Sequence, residues 1–291
     1  MDWFSLSLLC AFSLASADAF TKRHLVGYSG GEMMLVRFVV PAVLLAPLLW
    51  VYPLPTVTTE FWLWMAVLVP LELLAMLLYL QAIRDAPLYQ TLPYLAFTPV
   101  FMILTGWLVL GERVSWLGGT GILLVVVGAY WLNIHKLHRN GRREWFEPLR
   151  AILYQQGSRR MLLVAVIYSI TSVGGKAAML QVGAMSFAGF YFVLIGLATL
   201  LVVGLTRPAE LRILSRQPGW HLFVGVLFAL MIVTHFLALS RVEAAYMVAV
   251  KRTSLLFGIL YGAWLFGERQ LTRNFSAAVL MVVGVAMILF A

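Results

Sequence analysis

Residues 101–113 read FMILTGWLVLGER and residues 257–269 read FGILYGAWLFGER, two versions of one segment 156 positions apart. In that register Ala82 falls on Ala238, Phe101 on Phe257, Ile103 on Ile259, Leu104 on Leu260, Gly106 on Gly262, and Gly111-Glu112-Arg113 on Gly267-Glu268-Arg269. Val126, Val127 and Gly128 then meet Val282, Val283 and Gly284. Matches in a single register that end in the same Gly-Glu-Arg turn mark an internal repeat rather than shared hydrophobicity.

Around these two segments the chain is apolar from end to end. Hydrophobic residues make up 62% of its 291 positions and charged residues only 11%, with a mean hydropathy of +0.92. That balance excludes a soluble domain. Runs long enough to cross a hydrocarbon core lie near 3–20, 33–51, 61–82, 88–110, 116–134, 161–181, 185–206, 220–239, 242–266 and 272–290. The sequence therefore predicts an all-α membrane protein of ten transmembrane helices arranged as two inverted five-helix repeats. Residues 1–134 form the first repeat, 135–160 a basic cytoplasmic linker, and 161–291 the second. An odd number of helices per repeat inserts the second copy upside down, and inverted repeats let a carrier rock around a central site.

Ala15-Ser16-Ala17 resembles a signal-peptide cleavage site, but only Asp2 precedes the apolar run, while Lys22 and Arg23 follow it. That is the reverse of a signal peptide, so a retained first helix is expected. Of the 21 Lys and Arg, sixteen sort to the side of the first turn, Arg37 among them. Two (Arg113, Arg241) sort to the other side, and three (Lys176, Lys251, Arg252) lie inside spans. The positive-inside rule then puts both termini outside a cytoplasmic membrane and the linker in the cytoplasm. Basic loops facing anionic lipid account for the net charge of +9, so no nucleic-acid partner is required. The one cysteine, Cys10, excludes an intramolecular disulfide and a thiolate metal cluster.

The repeat, the Gly-Glu-Arg turns and the proline-bearing fourth helix, Leu92-Pro93-Tyr94-Leu95-Ala96-Phe97-Thr98-Pro99, resemble the drug/metabolite transporter superfamily, specifically its ten-helix EamA-type members. The resemblance covers nearly the whole chain. It implies a secondary transporter or exporter with a central cavity and no ATP site; the lack of a Gly-rich phosphate loop ending in Lys-Ser/Thr agrees.

The adjacent cations Lys251 and Arg252 are the strongest functional clue. Each costs roughly 2.5 to 3.5 kcal/mol at the centre of a membrane helix, so the doublet calls for something negative to meet it. By helical rise Lys251 lies roughly 12 Å from Glu243 at the outer end, with Arg252 slightly deeper, and Lys176 lies roughly 8 Å below the same surface. His235 is similarly shallow. Glu72, near the middle of the third span, is the one acid expected at comparable burial. If all face one cavity, its charge is plus three minus one.

Other roles fit some of these residues. Lys176 is close enough to the surface to snorkel, Glu72 could pair with Arg252 or carry a coupling proton, and His235 could be a packing donor. Among the tyrosines, Tyr94 and Tyr246 are favoured as ligand hydroxyls because their helices are already implicated. Pro93 and Pro99 each free a backbone carbonyl and predict a hinge or polar lining. The repeat sets Leu95 and Ala96 opposite Lys251 and Arg252, so the cationic pair belongs to one half alone.

The pair carries a second resemblance, to the plastid sugar-phosphate translocators of the same superfamily, which have Lys-Arg in the ninth helix as the phosphate ligand. It implies a phosphate or phosphonate at Lys251 and Arg252, while the specific sugar does not carry over. The expected function is alternating-access transport of an anionic, phosphorylated or carboxylated metabolite or lipid headgroup. No cofactor and no metal are expected, and protons are a candidate coupling ion. Alternatives are a general exporter of amino acids or amphipathic compounds, a flippase for a polyprenyl-phosphate-linked sugar, and a channel. An enzyme acting on lipid phosphate is disfavoured, because His24, His135, His138 and His221 lie in loops or at span ends.

Overall fold

The computed structural model describes residues 1–85, 92–134, 155–267 and 275–291. Their regular structure is entirely helical. We number the helices α1 (Trp3–His24), α2 (Gly30–Val51), α3 (Thr59–Asp85), α4 (Thr98–Leu110, entered through a 3-10 segment Leu92–Phe97), α5 (Trp116–Ile134), α6 (Gln156–Val182), α7 (Ala184–Thr206), α8 (Pro218–Leu239), α9 (Ala244–Lys251 continued by Ser254–Phe266) and α10 (Phe275–Leu289). Seven are long and apolar enough to cross a membrane, and α4, α5 and α10 are shorter apolar helices. Large side chains such as Trp50, Trp116, Leu205 and Trp264 are exposed, as a lipid-facing surface requires.

Local signals place several boundaries. Asp2 caps α1 by accepting from the Ser5 amide at 2.8 Å, and Lys22, Arg23 and His24 lie in its last turn, where cations offset the helix dipole. Ser29 and Glu32 form a reciprocal capping box that starts α2. Gly111 and Gly267 end the fourth helix of each repeat with positive φ, 68° and 64°, and each amide donates back to the carbonyl five residues earlier. The left-handed cap explains why glycine opens both Gly-Glu-Arg turns; Glu268 and Arg269 lie outside the described residues.

The repeat is visible in the packing. Helix α1 packs on α8 and α9, and α6, its counterpart, packs on α3 and α4, so each repeat lends its first helix to the other. Helices α2 and α7 pair, as do α5 and α10. In the last pair a Cβ on Gly121 would lie 2.6 Å from the Gly284 carbonyl, one on Gly284 2.6 Å from the Gly121 carbonyl, and one on Gly128 2.8 Å from the Ala277 carbonyl. Under the 156-residue offset, 121 maps to 277 and 128 to 284, so the crossing is its own symmetry mate. Position 121 meets 284 whereas 128 meets 277, so the two helices run antiparallel, as an inverted repeat demands.

Two expectations need correction. Helix α6 begins at Gln156, so the last five residues assigned to the linker are helical; residues 135–154 lie outside the described set. Arg37, sorted by sequence to a loop-side position, lies inside α2 on a π-helical segment, Leu35–Val39. Its charge survives there because Asp18 of α1 meets it at 2.5 Å.

Candidate substrate site between two ion pairs

Helix α9 is interrupted where its cations stand. The amides of Thr253 and Leu255 reach back three residues, to Val250 and Arg252, each at 3.0 Å, and the Thr253 hydroxyl donates to the Val250 carbonyl at 2.8 Å. This tightened turn ends one helical piece at Lys251 and starts the next at Ser254. The seam in α4 falls at the same register, between Phe97 and Thr98, where the Thr98 hydroxyl donates to Leu95 at 2.7 Å and Pro99 lacks an amide hydrogen. Pro93 lies in the 3-10 segment just before it. One device thus interrupts both fourth helices, and only α9 carries cations at the seam.

Around Lys251 and Arg252 other helices bring polar groups together. Lys251 is within electrostatic reach of Glu72 on α3, His235 on α8 and Cys10 on α1. Arg252 lies similarly near Tyr168 of α6, which also neighbours Glu72, Tyr79 and Arg37. Glu72 sits beside Thr171, and Tyr191 of α7 lies near Glu72 and Tyr168. Among the described residues the side chains of Lys251 and Arg252 make no hydrogen bond or ion pair, and Glu72 pairs with neither. Arg252 Nε, the Tyr191 hydroxyl and His235 Nδ1 are buried without a partner. A buried polar atom left unpaired costs about 1–3 kcal/mol, and Arg252 Nε, which can only donate, calls for an acceptor.

The remaining predicted residues are committed elsewhere. Lys176 donates to Glu112 Oε1 and to the Val242 carbonyl, both at 2.5 Å, while Glu112 Oε2 accepts from the Ala244 amide at 2.9 Å. The pair is nearly closed off, with side-chain exposures of 9% and 12%. Lys176 therefore neither snorkels nor stands open beside Lys251, and the cluster's excess charge falls from two to one. Glu112, read from sequence as a simple turn residue, is a second buried acid. Nearby the Tyr246 hydroxyl accepts from the Ser115 amide at 2.9 Å and donates to Ser115 Oγ at 3.3 Å, so its polar end is used. Tyr94 is fully buried beside Ser158, in a cluster with Met161 and Val164 against which Tyr79 and Tyr168 pack.

Two ion pairs therefore bracket the open cations. Lys176–Glu112 ties the α4–α5 turn to α6 and the start of α9, at what we call the turn end. Asp18–Arg37 ties α1 to α2 toward the opposite, linker end, with the Arg37 guanidinium 5.1 Å from the Phe228 ring centre. Sequence reasoning missed both pairs. The signal for the first was available: in the repeat register Lys176 corresponds to Phe20, so Glu112 has a basic counterpart that Glu268 lacks.

A model of the EamA-like transporter family matches residues 1–134 and again 158–290. The chain belongs to the EamA-like transporter family. As a member it is a multi-pass membrane transporter built from two repeats, in agreement with the antiparallel α5–α10 crossing. A solved structure titled "Crystal structure of protein" aligns with 98% of this EamA-like chain and 95% of its own, with a TM-score of 0.71 at 15% identity. That likeness shows the shared fold. No curated protein matches the chain.

Proposed function

We propose that this EamA-like transporter moves an anionic, phosphorylated or carboxylated metabolite or lipid headgroup by alternating access. Lys251 and Arg252 bind the anion, and Glu72 acts as counter-charge or proton site. The observation that carries this reading is the state of the pair: two cations at a helix seam whose side chains have no hydrogen bond or ion pair among the described residues, beside one carboxylate. Arg252 offers a guanidinium fork and Lys251 a point charge, the combination that suits phosphoryl oxygens. The hydroxyl of Tyr191 and Nδ1 of His235 add unused polar atoms. In this reading the termini face outward from the cytoplasmic membrane and the linker faces the cytoplasm; a reporter fused after Ala291 that reads cytoplasmic contradicts that orientation.

The test is ligand-induced thermal stabilisation of purified protein against organic phosphates, polyprenyl phosphates, carboxylates, amino acids and organic cations. Stabilisation by phosphates or carboxylates that vanishes in Arg252→Gln supports the anion site. Stabilisation only by cations or neutral amino acids, unchanged in the variant, makes the pair structural.

A further inference from the structure

We infer that Arg37 is a second anion-binding station on the substrate path, occupied by Asp18 until an incoming phosphoryl or carboxyl group displaces that carboxylate. The inference rests on the anion reading above and extends it to a residue outside the Lys251–Arg252 pair.

Arg37 is only partly satisfied. A guanidinium carries five N–H donors in a fixed fork. Its Nη2 meets a single oxygen of Asp18 at 2.5 Å, its face lies over Phe228, and its Nε is buried with no acceptor. The Asp18 side chain is 50% exposed and that of Arg37 22%. A carboxylate that is half exposed and holds Arg37 through one oxygen has room to turn aside when a ligand oxygen takes over that contact. A ligand oxygen that takes its place leaves the charge balance at Arg37 unchanged.

The position fits a path. By helical rise Arg252 lies roughly 13 Å from the turn end and Arg37 roughly 10 Å from the linker end. Tyr168 lies between them, in electrostatic reach of both, and Tyr79 flanks Arg37. A ligand leaving Arg252 toward the linker end thus meets hydroxyls and then a second guanidinium. The π-helical segment Leu35–Val39 carries Arg37, and such local widenings of a helix recur at functional sites. Asp18 acts as an internal stand-in for the anion and discharges Arg37 when the station is empty.

The test is phenyl phosphate binding to the purified full chain by calorimetry, with Asp18→Asn, Arg252→Gln and Arg37→Lys. Asp18→Asn tightens binding by roughly two- to fivefold, the factor by which a partly exposed ion pair competes. Asp18→Asn with Arg252→Gln retains weak binding that is lost when Arg37→Lys is added. Arg37→Lys keeps one positive charge on α2 while the guanidinium fork is removed, so a loss of binding reports on the fork and not on the charge alone. If Asp18→Asn leaves affinity unchanged or lower while Arg252→Gln alone abolishes binding, Arg37 is a structural partner of Asp18 and the anion site stands without it. Absence of binding to wild type and all variants overturns both ideas.

Discussion

Helices α4 and α9 occupy equivalent places in the two repeats and break at the same register, between Phe97 and Thr98 and between Thr253 and Ser254. Both end on a left-handed glycine. Yet α4 carries Leu95 and Ala96 where α9 carries Lys251 and Arg252. The backbone device is shared and the charge is not. On the proposed function the seam belongs to the scaffold and the cations to the cargo, since a purely architectural role would give both halves the same chemistry.

The same asymmetry governs the ion pair at the turn end, where the largest stability effect is expected. Lys176→Met leaves the Glu112 carboxylate buried and unpaired, and costs about 3–5 kcal/mol. Adding Glu112→Gln recovers most of that loss in thermal unfolding. If the single and double variants unfold alike, the pair is not what ties α4, α6 and α9 together.

Symmetric parts answer symmetrically. Gly128→Ala and Gly284→Ala, at equivalent positions of the two repeats, each push a methyl group against the other helix's backbone and cost about 1–3 kcal/mol. Because the α5–α10 crossing is its own symmetry mate, the two losses agree within roughly 0.5 kcal/mol. A larger gap in unfolding midpoints breaks the equivalence of the repeats. The smallest effect is expected for Tyr246→Phe, which removes the hydroxyl bonded to Ser115 and costs about 1 kcal/mol while leaving anion affinity unchanged. A fall in affinity instead returns Tyr246 to the substrate site.

Much of the fold was legible because a repeat and a run of apolar segments are written in local sequence. The offset that aligned Gly111 with Gly267 also marked both as helix ends, whereas the α5–α10 crossing appeared only in the structure. Lys251, Arg252 and Glu72 could be selected because a charge inside an apolar span is costly wherever it points. The partners of Lys176 and Arg37 were less accessible. Glu112 belongs to a turn and Asp18 to the end of a helix, so neither signals burial until α6 and α2 are packed beside them. Tyr94 and Tyr246 make a related point: membership of a helix does not determine which way a hydroxyl faces, and these two meet Ser158 and Ser115.

The decisive measurement is counter-transport in proteoliposomes, with labelled phosphate uptake followed against an internal load of unlabelled phosphate or phosphorylated metabolite, for wild type and Arg252→Gln. We predict saturable uptake, accelerated by the internal load and reduced roughly 10- to 100-fold in Arg252→Gln, as expected when a charge-assisted hydrogen bond of about 1.5–3 kcal/mol is removed. Equal uptake by the two proteins, or flux that neither saturates nor responds to the internal load, contradicts an alternating-access anion site at Lys251 and Arg252.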